Sequence, residues 1–285
     1  VLLRQEGDTV TLTGTDLEVE IIAKVKSERS ENGDLTLPAR KLLDICRALP
    51  EGATVDIRKD GDKAIIKSGK SRFTLVSLPV ADFPNLQAPQ WDHTLALSQK
   101  ILKNLVLQTQ FCMAQQDVRY FLNGLLFEMN GNKLRVVATD GHRMAVSEAD
   151  LEKTQPATKQ VIVPRKGVHE IARLLEESDE EVEVLVSNNH LRTRTGNFTL
   201  TTKLIDGKYP DYARVVPPTQ NKAIQLSRDT LREALGRAAI LSNEKYRGVR
   251  LTLIKNGLKI SAHNPEQEES QEEVTADYDG DMLEI

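Results

Sequence analysis

Thr139-Asp140-Gly141-His142-Arg143 places a hydroxyl, a carboxylate and an imidazole within one short stretch. Hydroxyl, imidazole and carboxylate are the groups from which acyl transfer and hydrolysis are assembled. Such sets work through spatial geometry rather than adjacency. The chain also carries Thr15-Asp16 with no histidine beside it. A Thr-Asp pair that recurs without its base reads as turn chemistry between strands. His93, His169, His190 and His263 are isolated, and His190 and His263 lie by turn residues where exposure is expected. Cys46 and Cys112 lack metal-ligand spacing. Cys46 is expected to be a small buried hydrophobe on a helix, in keeping with a reducing, cytoplasmic setting. No HExxH, CxxC, phosphate-binding or dinucleotide-binding glycine motif occurs. The residues nominate no active site, no metal and no cofactor.

What the chain does show is repetition. Leu37-Pro38-Ala39-Arg40-Lys41-Leu42-Leu43 returns as Val163-Pro164-Arg165-Lys166-Gly167-Val168-His169, 126 positions on. Arg72-Phe73-Thr74-Leu75 is echoed by Asn197-Phe198-Thr199-Leu200, and Phe83-Pro84-Asn85 by Tyr209-Pro210-Asp211. A third copy follows, because Asp16, Asp140 and Asn264 are spaced by 124 residues each time. This period exceeds that of a solenoid unit and indicates duplicated domains, expected at 1–90, 91–220 and 221–285. Measured against the middle copy, about 30 residues are expected before Val1 and about 55–60 after Ile285.

Within each copy the elements can be read locally. Leu42, Ile45, Cys46 and Leu49, and likewise Val168, Ile171, Ala172 and Leu175, predict amphipathic helices. Pro38 and Pro164 suit their starts. Ser98 and Ser227 read as N-caps of two further helices, which use Ile101, Leu102 and Leu105 in one case and Leu231, Ala234, Leu235 and Ala238 in the other. Short alternating runs, among them Thr9–Thr13, Glu18–Lys24, Phe73–Leu78, Leu134–Ala138 and Leu258–Ala262, predict strands. Each unit is therefore expected to be α+β, antiparallel sheet backed by two helices. Ala88–His93, with the lone Trp91, reads as a linker between units.

Lys and Arg total 38 against 42 Asp and Glu, a net charge of −4, so no global charge announces a nucleic-acid partner. The distribution is more telling. Arg40, Lys41, Arg47, Lys100, Lys103, Arg165, Lys166, Arg173, Arg228, Arg232 and Arg237 lie on polar helix faces, while acids gather at 176–181 and 266–273. Equivalent helices of repeated units would sum their charges on one side, forming a phosphate-facing surface. No apolar run approaches the ~18 residues of a membrane span.

Several stretches together resemble the bacterial DNA polymerase III beta subunit family, the sliding clamps. They are 83–86 (Phe-Pro-Asn-Leu), 116–124 (Gln-Asp-Val-Arg-Tyr-Phe-Leu-Asn-Gly), 137–145 (Val-Ala-Thr-Asp-Gly-His-Arg-Met-Ala), 161–167, 209–212, 241–250 and 264–269. The resemblance runs the length of the chain. It implies three clamp domains per subunit and a homodimer closing a six-domain ring, with helices lining a hole that encircles double-stranded DNA without reading sequence. It implies a processivity factor, not an enzyme and without exonuclease activity. Its partners would be the polymerase III catalytic subunit, the clamp loader, and other polymerases and repair proteins. By resemblance, Arg40, Lys41, Gln116, Arg119, Tyr120, Arg165 and Lys166 face DNA. Leu122, Thr139, Gly141, His142, Arg143, Met144, Pro210, Arg214 and Val215 belong to a pocket for short apolar peptides with a leading Gln, placed in the family between the second and third domains. Lys70, Arg72, Phe73 and Leu75 would meet Ile240, Leu241, Glu266 and Glu268 of a second subunit. The competing expectations are a monomeric scaffold of clamp-like domains and a hydrolase using Asp140 and His142.

Overall fold

The structure is a computed structural model that describes residues 1–29, 31–84, 90–155, 157–217 and 223–285. The first copy runs β1 (Leu2–Glu6), β2 (Thr9–Thr15), β3 (Val19–Lys26), β4 (Gly33–Thr36), α1 (Ala39–Ala48), β5 (Asp56–Asp60), β6 (Lys63–Ser68) and β7 (Ser71–Val76). The second runs β8 (His93–Ser98), α2 (Gln99–Leu107), β9 (Gly124–Asn130), β10 (Lys133–Thr139), β11 (Met144–Asp150), β12 (Lys159–Pro164), α3 (Arg165–Leu174), β13 (Glu181–Val186), β14 (His190–Thr195) and β15 (Phe198–Lys203). The third holds α4 (Arg228–Ala238), β16 (Arg250–Ile254), β17 (Gly257–His263), β18 (Glu269–Thr275) and β19 (Leu283–Glu284). The chain forms two compact units, Val1–Pro210 and Asp211–Ile285.

In the first unit the copies share one sheet. Eight strands run in the order β4-β1-β2-β3-β15-β14-β13-β8, all antiparallel. The seam is β3 on β15, with Phe198 opposite Ala23, Leu200 opposite Ile21 and Thr202 opposite Val19. Beside it lie β11-β10-β9-β12 and β5-β6-β7, while the second unit holds β18-β17-β16-β19.

The helices sit where their apolar stripes require. In α3, Val168 and Ile171 are buried with Leu175 just beyond, in a core that includes Leu102, Phe127 and Val184. On α1 only Leu42 is fully buried, with Ile45 half-buried beside it. Cys46 is exposed, contrary to expectation. The stripe of this short helix is too narrow to cover the position after Ile45. The Ser98 hydroxyl accepts from the Ile101 amide and that of Ser227 from the Thr230 amide, satisfying donors that a helix start leaves unpaired. On α2 the stripe is rotated from the expected one. Leu102, Leu105 and Val106 are buried and Ile101 is exposed.

Two further expectations shift. His190 is buried, its Nδ1 against the Asn189 side chain at 2.9 Å, and burial holds its pKa below the usual value. The expected linker at Ala88–His93 lies partly outside the described residues. From Gln90 onward Trp91 carries the Arg192 guanidinium over its ring at 4.9 Å, and His93 opens β8.

Candidate DNA-facing and partner-binding sites

The turn after β10 is built three times. Following β2, the Thr15 hydroxyl donates to the Val19 carbonyl and accepts from the Leu17 amide, while Asp16 Oδ1 accepts from the Glu18 and Val19 amides. Following β10, the Thr139 hydroxyl donates to the Arg143 carbonyl and accepts from the Gly141 amide, and Asp140 Oδ1 accepts from the His142 and Arg143 amides. After β17 the role passes to Asn264, whose Oδ1 accepts from Glu268 N in a turn one residue longer. All three need a left-handed residue, which is Leu17 (φ 75°), Gly141 (φ 88°) and Gln267 (φ 68°). Only at Gly141 is that conformation free of side-chain strain.

This geometry gives Thr139 and Asp140 structural duties in the turn. The Thr139 proton is directed at a carbonyl, and the Asp140 carboxylate holds two amides and Arg143 Nε at 3.0 Å. Burial pushes the Asp140 pKa up, but those donors outweigh it and leave it below its ordinary value. The buried Cys112 thiol has its pKa raised by burial, the wrong direction for a nucleophile.

Around the turn the first unit gathers most of the sequence-nominated residues. Leu122 is buried, Thr139 and Met144 are half-buried, and Gly141, His142 and Arg143 are exposed. Arg119, expected at DNA, forms a two-pronged pair with Asp117 at 3.0 and 2.8 Å and reaches the Asp140 carbonyl at 3.4 Å. That pair and the Arg119 amide hold the Asp117 pKa down at about 2. The loop expected at DNA is therefore tied to the turn expected at partner peptides. Gln116 is left-handed (φ 56°), and Tyr120 is exposed. Pro210 closes the first unit and is exposed. In the second unit Arg214 pairs with Asp211 at 2.8 Å and Val215 is exposed.

Two residues escaped the sequence reading. Tyr209 is only 4% exposed and its hydroxyl accepts the Thr139 amide at 3.0 Å, with burial pushing its pKa up to about 12. Its recurrence as an aromatic before proline was visible, its role was not. Phe111 is 57% exposed under the Arg143 guanidinium, and no local pattern signalled it.

Of the helix-borne cations, Arg40 and Lys41 are exposed on the first turn of α1. On the first turn of α3, Arg165 donates to the Met113 carbonyl and Lys166 pairs with Asp16 and Glu18 of the first copy. At the expected subunit contact, Phe73 and Leu75 are half-buried against the core beneath β7, which includes Leu42 and Ile66. Ile240 is 76% exposed.

Known families account for this repeated architecture. The chain matches the DNA polymerase III beta subunit N-terminal domain over residues 1–87, its central domain over 96–211 and its C-terminal domain over 213–285. The chain belongs to the DNA polymerase III beta subunit family, the beta sliding clamps. It is 52% identical to the beta sliding clamp of Pseudomonas aeruginosa and 51% to that of Pseudomonas putida, covering 100% of this chain and 78% of each relative. The P. aeruginosa clamp solved with griselimycin bound superposes with a TM-score of 0.97 at 52% identity, again over 100% of this chain and 78% of that one. The repeated clamp-domain fold and the function of a DNA sliding clamp, a polymerase processivity factor, follow from this membership. Among the described residues no helix is long and apolar enough to cross a membrane.

Proposed function

We propose that this clamp acts without catalysis in the cytoplasm. It is a homodimeric ring of clamp domains, divided in this chain at 1–90, 91–220 and 221–285. The ring encircles double-stranded DNA and tethers the polymerase III catalytic subunit, the clamp loader, and other polymerases and repair proteins through short apolar motifs.

The observation that carries the ring is the seam between β3 and β15. The repeat makes β18 the third-copy equivalent of β3, and β7 the first-copy equivalent of β15. Among the described residues β7 pairs only with β6 and β18 only with β17, so both present open edges that invite another chain. The hairpin turns set the register. Gly69 (φ 54°) and Gly196 (φ 48°) sit at the same turn position, with Ser68 opposite Ser71 and Thr195 opposite Phe198. This equivalence is displaced two residues from the Arg72-Phe73/Asn197-Phe198 echo. Transposing the seam sets Phe73 opposite Ser270 and Thr74 opposite Glu269 of a second copy. Lys70 and Arg72 then lie among Glu269, Glu272 and Glu273. Each exposed ion pair adds only ~0–1 kcal/mol, so the charges fix register while Phe73, Leu75, Ile240 and Leu241 supply the apolar contact. A head-to-tail contact used twice closes a ring.

The helices support the DNA reading. α1 and α3 begin after prolines that offer no capping side chain, and neither has an acid in its first turn. Both instead carry cations there, opposing the helix dipole at ~0.3–1 kcal/mol each. That arrangement suits a phosphate partner. Arg40, Lys41, Arg165 and Lys166 take that role, with Gln116, Arg119 and Tyr120 on the adjoining loop.

Cysteines at Thr74 and Glu269, in a Cys46→Ser background, test the ring. Opposed antiparallel residues lie ~4.5–5.5 Å apart at Cα, within disulfide reach. Oxidation should give a covalent dimer from the double variant and none from either single variant. Crosslinking of Phe73→Cys with Glu272→Cys instead would place the register two residues away.

A further inference from the structure

A cleft of about 350 Å3 lies between the 3-10 turn Gln110–Cys112 and α3, lined by Gln110, Phe111, Arg165, His169 and Ala172. Its wall is the exposed Phe111 ring, which the Arg143 guanidinium covers at 5.7 Å. Across it stand Arg165 and, one helical turn on, His169, and neither forms an ion pair with a carboxylate among the described residues. The nearby acids are engaged elsewhere, Asp140 with Arg143 at 3.0 Å and Glu170 with Arg173 at 2.6 Å. The cleft is thus an aromatic plate facing the Arg165 guanidinium and the His169 imidazole. A stacking ring beside cationic groups is how proteins hold unpaired nucleotides without reading sequence.

We infer that this cleft holds an unpaired nucleobase of single-stranded DNA, the base stacked on Phe111 and its phosphate against Arg165 and His169. The inference rests on the reading that α3 faces DNA, and adds a single-strand contact to the encirclement of duplex. The probe is a fluorescein-labelled ten-nucleotide oligo-dT, followed by anisotropy at low salt. Phe111→Ala should weaken binding about tenfold and Phe111→Trp should retain it, since stacking is the property removed and restored. In a Trp91→Phe background, emission from the Phe111→Trp side chain should be quenched by oligo-dT and not by a blunt duplex of equal length.

Unchanged oligo-dT affinity in Phe111→Ala would overturn the inference. So would quenching by a Gln-led apolar peptide in place of oligo-dT, which would make the cleft a peptide site. A parent protein that binds oligo-dT through Phe111 yet is not retained on circles would refute the ring alone.

Discussion

Gly167 is where the position of α3 is decided. It is buried on the first helical turn, and a methyl group there would come within 2.6 Å of Thr202 Oγ1 and 2.9 Å of its Cβ and Cγ2 on β15. Two effects compete in Gly167→Ala. Alanine favours the helix by about 1 kcal/mol over glycine. Overpacking against a fully buried Thr202 costs about 1–3 kcal/mol. Because the obstructing atoms belong to a β-branched residue in a central strand, with little freedom to yield, the clash should win by about 1–2 kcal/mol. For a unit of this size that lowers the midpoint of thermal unfolding by about 2–8 °C. Adding Thr202→Ala should recover much of the loss, because it removes Oγ1 and Cγ2. The double variant should be more stable than the summed single changes by about 1 kcal/mol. A Gly167→Ala protein more stable than the parent would refute the reasoning, because it would mean that α3 does not lie against β15 as closely as argued.

Tyr209→Phe should cost about 1–2 kcal/mol in urea unfolding, since it strands the Thr139 amide, and should weaken capture of a Gln-led apolar peptide by loosening the turn. Asp117 should titrate by carboxyl NMR near its value of about 2, and Arg119→Ala should return it toward 3.8. Because the folded pKa is depressed, the contribution of this pair is full above about pH 4 and is lost as the pH falls toward 2. Ser98→Ala should cost about 0.5–2 kcal/mol by removing the acceptor for the Ile101 amide.

Much of this molecule was legible where local rules and tertiary demands agree. The capping serines, the stripe of α3 and the Thr-Asp turns are set within a few residues of sequence, and the repeat carried their reading from one copy to the next. What was missed depends on pairing. β18 (Glu-Ser-Gln-Glu-Glu-Val-Thr) has the composition of a solvated acidic loop, and it is a strand because β17 pairs with it. β11 and β4 are edge strands of the same kind. Cys46 was misplaced because a period marks a stripe's centre better than its margin. Arg119 could be named from the family motif, but its tie to Asp140 crosses 21 positions and is set by the fold. The register between β7 and β18 needed the turn geometry, since the echo in sequence points two residues away.

The central claim is that the protein holds DNA by surrounding it. The sequence, carried at the full length of its relatives, would be loaded on nicked circular duplex with a clamp loader and ATP, and its retention measured before and after the circle is cut. The account predicts retention on the circle and rapid loss once a free end exists. Equal retention on circular and linear DNA would contradict it and would mean binding by surface contact.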